Sequence, residues 1–161
     1  MAAYWDTSAL AKLYHRELGS SFVEQFFHSS DEPAFVSRLG VLEMQSVLSS
    51  KMRTGQIVLS ESELVRQRFR SDVRGRRFRM VALRVRHYEL AEKLLTSYGS
   101  EHGLRTLDSL HLAVALDLQR NQLIDSLMTA DKVLCRVSPL EGMNVIDPEI
   151  SGVAGIIGPS L

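Results

Sequence analysis

Five short strand-like runs lie along this chain, at 3–5, 34–37, 78–82, 124–129 and 144–147, and helical patterns separate most of them. That alternation constrains the fold more than any other feature. Strands joined through helices return to the same edge of a sheet and run parallel, and the helices cover its faces. The reading is an α/β layer fold. The 161 residues favour one domain with one core.

The intervening segments carry helical spacing. Ala9, Leu10, Leu13 and Tyr14 share one side, with Ser8 as an N-terminal cap. Phe22, Val23, Phe26 and Phe27 follow a start at Ser20 or Ser21. Leu39, Leu42, Val47 and Leu48 define a helix over 39–53, stopped by Gly55. Ser60 and Glu63 have capping-box spacing at the head of a helix reaching about Arg70. Residues 87–98 and 106–118 are the remaining long helices, the last with Leu107, Leu110, Ala113, Val114 and Leu118 inward. KVLCRV is a short helix. The stretch 150–161 is Gly-rich and weakly patterned, and reads as a tail beyond a domain at 1–149.

No apolar run approaches the roughly 18 residues of a spanning helix, and the first residues lack the basic start of a secretory leader. The expectation is a cytoplasmic protein without a membrane partner. The single Cys135 excludes an internal disulfide and a cysteine-built metal cluster, and its apolar setting reads as structural.

Net charge is zero, with 19 basic and 19 acidic residues. The distribution is uneven. Nine arginines and one acid, Asp72, lie between Arg66 and Arg86, which leaves the remainder with a net charge of −8. Such a segment could grip RNA phosphates, with Arg74, Arg76, Arg77 and Arg79 at its centre. It could equally pair with the acidic body, with a second copy or with an acidic protein.

Four acids fall where chemistry is expected. Asp6 ends the first strand and Asp131 follows the fourth, which puts both at the carboxyl edge of a parallel sheet, where α/β proteins bind ligands. Asp108 lies in the first turn of the strongest helix. Glu43 sits between Leu42 and Met44. Singly, each is as well explained as a cap, a turn residue or a surface charge. Together in one cleft they would repel one another, and a divalent cation would remove that penalty. Hard oxygen donors suit Mg²⁺ or Mn²⁺. Ser8, Arg105 and Thr129 are candidates for holding a carboxylate or phosphate, with Lys132 a weaker one. His111, three residues beyond Asp108, reads as structural or as a support to the acids.

The stretches YWDTSALAKLYHRE (4–17), SRLGVLEMQSVLSSKMRTGQI (37–57), LRTLDSLHLAVAL (104–116) and LMTADKVL (127–134) resemble the PIN domain family, and within it the VapC-type toxins of bacterial toxin–antitoxin pairs. The family's acids match Asp6, Glu43, Asp108 and Asp131, in order, with Ser109 standing where alanine is usual. The resemblance is weakest over 58–86. It implies a three-layer α/β/α fold with a largely parallel sheet of about five strands. It also implies Mg²⁺- or Mn²⁺-dependent cleavage of RNA leaving a 5′-phosphate and a 3′-hydroxyl, a homodimer, and a small VapB-like antitoxin. The implied roles are Asp6 and Asp108 as main metal ligands, with Glu43 and Asp131 completing the site directly or through water.

Four other readings compete. A non-catalytic PIN-like binding module would keep the fold and lose an acid, and all four are present. A phosphomonoester hydrolase with an aspartyl nucleophile needs a second Asp where Ser8 stands. A flap-type DNA nuclease would be longer, with more acids. A nucleotide-binding module is disfavoured too, since there is no Gly-rich phosphate loop.

Overall fold

A computed structural model describes residues 2–154. Its centre is a five-stranded, wholly parallel sheet of β1 (Ala3–Trp5), β2 (Ala34–Ser37), β3 (Phe78–Val81), β4 (Ser126–Met128) and β5 (Asn144–Ile146), in the order β3-β2-β1-β4-β5. Among the described residues, eight α-helices connect and flank it: α1 (Thr7–Tyr14), α2 (Ser20–Ser29), α3 (Arg38–Arg53), α4 (Leu59–Arg74), α5 (Val85–His102), α6 (Thr106–Arg120), α7 (Lys132–Val137) and α8 (Pro148–Ala154). This is the α/β architecture expected from the alternation of short runs and helices.

The three inner strands, β2, β1 and β4, are buried on both faces, and the period of two divides their side chains between two cores. Tyr4, Phe35 and Leu127 point to one side and join α5, α6 and α7. Ala3, Trp5, Ala34, Val36 and Met128 point to the other and join α1, α2, α3 and α4. From β1 the chain steps outward through β2 and β3, then returns to place β4 against the other side of β1. The reversal opens a crevice between the carboxyl ends of β1 and β4.

Several local expectations are corrected. Asp6, not Ser8, caps α1, its Oδ1 accepting the Ala9 amide at 2.9 Å. Helix α4 begins at Leu59, one residue before Ser60, and Glu61 rather than Glu63 turns back, accepting the Val58 amide at 3.0 Å. Leu42 and Leu107 were assigned to core faces and are 69% and 45% exposed. The buried stripe of α3 is Gly40, Met44 and Leu48, an i, i+4 row out of phase with Leu42.

Helix α8 takes up part of the stretch read as a tail; residues 155–161 lie outside the described ones. It packs on α2, where Gly19 has a φ of +86° and a Cβ would stand 2.9 Å from the Pro148 carbonyl. Charges reinforce the contact. Buried Lys12 reaches Glu149 at 2.9 Å and Glu17 at 3.1 Å, and Lys132 reaches Asp147 at 3.0 Å and Glu149 at 2.9 Å.

Candidate active site

The four acids line one cleft of about 710 Å³ at the crevice between β1 and β4. Each arrives on a different element: Asp6 at the end of β1, Glu43 on α3, Asp108 in the first turn of α6, and Asp131 capping α7. Ser8, Arg105 and His111 share the cleft wall, with Leu39, Leu42 and Leu107.

Asp6 is 3% exposed. Its Oδ1 accepts the Ala9 amide and the Ser8 hydroxyl (2.8 Å), and its Oδ2 accepts the Thr129 hydroxyl at 2.7 Å. All these donors are neutral. Burial pushes the Asp6 carboxyl above the ordinary carboxylate range, against the opposing influence of His111 and these hydrogen bonds. The two hydroxyls are themselves held by backbone. Ser8 Oγ accepts the Ala130 amide at 2.8 Å, and Thr129 Oγ1 accepts the Asp131 amide at 3.0 Å. The turn after β4 is thereby stitched to the turn after β1.

Glu43 is held from inside. His111 Nε2 and the Thr7 hydroxyl (2.6 Å) both meet its Oε2, and Tyr4 Oη lies 2.6 Å from His111 Nδ1. One assignment satisfies every group: Tyr4 donates to Nδ1, and Nε2–H donates to the carboxylate. Burial would raise the Glu43 carboxyl, but His111, Thr7 and Arg105 together outweigh it and hold it below its ordinary value. Gly40 permits the approach of α3, since a Cβ there would stand 3.3 Å from Val36 Cγ1 and 3.6 Å from Thr7 Oγ1.

Arg105 handles the other two acids. Its Nε donates to Asp108 Oδ2 at 2.8 Å and its Nη2 to Asp131 Oδ2 at 3.1 Å. Asp131 Oδ1 is occupied with the Val133 and Leu134 amides at 2.8 and 3.0 Å. The Arg105 side chain is 69% exposed, so this bridge faces solvent.

The donor set, four carboxylates and no thiolate in one cleft, fits a hard divalent cation. Asp6 in particular is a buried carboxyl that, among the described residues, has no lysine or arginine paired with it. Among the described residues, no three His, Cys, Asp or Glu side chains converge closely enough to form a coordination sphere. Asp108 and Asp131 are instead engaged by the Arg105 guanidinium.

Of the four arginines expected to grip RNA, Arg74 ends α4 and lines a neighbouring groove, while Arg76, Arg77 and Arg79 are not at the cleft. Arg76 and Arg77 line a separate hollow of about 280 Å³ with Trp5, Phe26 and Phe27. Arg77 pairs with Asp72 at 3.3 Å and lies over the Phe27 ring at 4.4 Å; Arg79, on β3, lies over Phe35. They precede or sit within β3, toward the amino edge of the sheet, away from the acids. Lys132 turns to Asp147 and Glu149. Cys135 is half-buried, and burial, with Asp147 nearby, pushes its thiol up to about 12. Tyr4, Thr7 and Gly40 were not singled out from the sequence. Only their places beside Asp6 and Glu43 hinted at a role.

Among known proteins, the PIN domain family pattern matches residues 3–139, and the chain belongs to that family. No curated protein matches it in sequence. Similar solved structures include FitAcB from Neisseria gonorrhoeae, at 15% identity and a TM-score of 0.64, covering 92% of this chain and 98% of that one. A toxin–antitoxin complex from Klebsiella pneumoniae has 19% identity and a TM-score of 0.58, covering 91% and 97%. A VapC toxin of Mycobacterium tuberculosis described as cleaving the sarcin–ricin loop has 16% identity and a TM-score of 0.61, covering 87% and 95%. At these identities the likeness is one of fold.

Proposed function

We propose that the protein is a metal-dependent endoribonuclease, the toxin of a toxin–antitoxin pair. The observation that supports this most is the gathering of Asp6, Glu43, Asp108 and Asp131 on one cleft, with Asp6 buried among neutral donors. Family membership, and the toxin–antitoxin complex and RNA-cleaving toxin among the similar structures, point the same way.

Asp6 and Asp108 would be the main ligands of Mg²⁺ or Mn²⁺, with Glu43 and Asp131 completing the site. The bound cation would supply an activated water and polarise the scissile phosphate. The chain's own residues supply the rest. Ser8 and Thr129 fix the rotamer of Asp6. The Tyr4–His111 pair and Thr7 aim Glu43 into the cleft. Arg105, exposed and cationic, is placed to meet a phosphate oxygen once it leaves Asp108 and Asp131. Leu39, Leu42 and Leu107 give the cleft an apolar wall that can pack against a nucleoside.

A cytoplasmic address, a homodimer and a small VapB-like antitoxin belong to the same proposal. No described helix is long and apolar enough to cross a membrane. The test is cleavage of total RNA with Mn²⁺ or Mg²⁺, mapped to nucleotide resolution, with Asp6→Asn as the control. Discrete cuts by the wild type that the variant lacks support the assignment. Equal cutting by both, in preparations free of other nucleases, rejects it.

A further inference from the structure

We infer that RNA reaches the cleft along a second groove, between α3 and α4, gripped by Arg38, Arg70 and Arg74 with Arg66 beside them. This rests on the ribonuclease reading and gives it a substrate path. The groove holds about 400 Å³. Val41, Phe69 and Val73 form its floor, and Arg38, Arg70 and Arg74 its rim. It runs into the acidic cleft, since Leu42 and Gln45 line both. Arg66 donates to Gln45 Oε1 at 3.0 Å, at that junction.

The charge balance selects the ligand. Within the basic segment, Arg77 and Arg86 have acidic partners, Asp72 and Asp117. Among the described residues, Arg38, Arg66, Arg70 and Arg74 have none within 4.0 Å, and no acid lines the groove. Arg66, Arg70 and Arg74 recur every fourth residue, so they stack along one side of α4, about 6 Å apart. An unpaired cationic row beside an apolar floor suits a polyanion with a flexible backbone. The acids of the cleft would repel a strand that had no cationic approach. A row of arginines leading to them offsets that repulsion and orients the strand, while contributing no base readout. The favoured ligand is therefore single-stranded or loop RNA, its backbone on α4 and its scissile phosphate among the carboxylates. An acidic protein segment is the competing occupant.

The test uses the full chain carrying Asp6→Asn, so that RNA is bound and not cut. Fluorescence anisotropy with a labelled single-stranded RNA is followed over a range of salt. Adding Arg70→Gln and Arg74→Gln should weaken binding tenfold or more and flatten the log–log salt slope by about 1.4, two contacts at about 0.7 each. Adding Arg76→Gln and Arg77→Gln instead should change neither quantity. Circular dichroism confirms that the variants fold, and Arg70→Lys with Arg74→Lys should retain most of the affinity. Unchanged affinity and slope in the Arg70/Arg74 variant, with the wild type still cutting RNA, would overturn the groove and leave the nuclease reading intact. That result, with lost binding of a glutamate-rich peptide, would reassign the groove to a protein. Absence of both RNA binding and RNA cleavage would overturn the two together.

Discussion

Thr129 donates its hydroxyl to Asp6 Oδ2 at 2.7 Å, across 123 positions of sequence, and Thr129 Oγ1 in turn accepts the Asp131 amide. One buried hydroxyl thus sets the geometry of two acids. Thr129→Val keeps the shape and removes both bonds. It is expected to cost about 1–3 kcal/mol of stability, because buried polar groups are left without partners. Urea denaturation measures this. Cleavage should fall at least tenfold at a temperature where the variant is fully folded. Wild-type stability in the variant would show that the hydroxyl is dispensable.

Asp6→Asn should abolish cleavage and, without metal, remove a pH-dependent penalty from the fold. Burial raises the folded-state pKa of Asp6 above its unfolded value, so ionisation costs stability as pH rises through and beyond the carboxylate range. That penalty is carried by the wild type and not by the variant. It should vanish in acid, where Asp6 is protonated in both states. Mn²⁺ should raise the wild-type Tm and leave the variant's nearly unchanged. Differential scanning fluorimetry across pH, with and without Mn²⁺, reads both effects.

Glu43 has the opposite sign. Its folded pKa is lowered, so its contribution is present above the unfolded pKa and is lost as pH falls through the folded one. His111→Phe removes the principal partner and leaves both Glu43 and Tyr4 Oη short of a hydrogen bond. A loss of about 2 kcal/mol at pH 7 is expected, shrinking toward acid pH as Glu43 protonates. Thermal melts at pH 7 and pH 4 test the trend.

Arg105→Gln frees Asp108 and Asp131 from their guanidinium bridge. Calorimetry should then show tighter Mn²⁺ binding, by up to about fivefold, since an exposed pair is worth up to about 1 kcal/mol. RNA cleavage at saturating Mn²⁺ should nonetheless fall, through loss of the phosphate contact. Unchanged Mn²⁺ affinity would show that the bridge does not compete with the cation.

The parts of the site legible from sequence are those set by chain position. Asp6 and Asp131 each follow a strand, and in a parallel sheet that alone sends them to one edge. Asp108 opens a strongly patterned helix. The parts that were not legible depend on pairings across the fold. Tyr4 meets His111 across 107 positions, and Thr7 meets Glu43 across 36, and no local spacing encodes either. Arginine clustering in sequence likewise does not show which side each arginine faces. Gly75 ends α4, and Arg76 and Arg77 turn away from the side where Arg70 and Arg74 face α3. Leu42 and Leu107 carry an apolar signal that sequence alone assigns to a core; the structure spends it on the cleft.

The insertion of β4 beside β1 has a consequence for biosynthesis. Asp6 leaves the ribosome 123 residues ahead of the hydroxyl that orients it, at 129, and the last of the four acids follows at 131. Until β4 is made, one edge of β1 stays open and the cleft has only one of its two walls. A chain that stalls or is clipped short of this point carries three acids and no assembled centre; on the ribonuclease reading, a growing copy would spare the RNA that surrounds it.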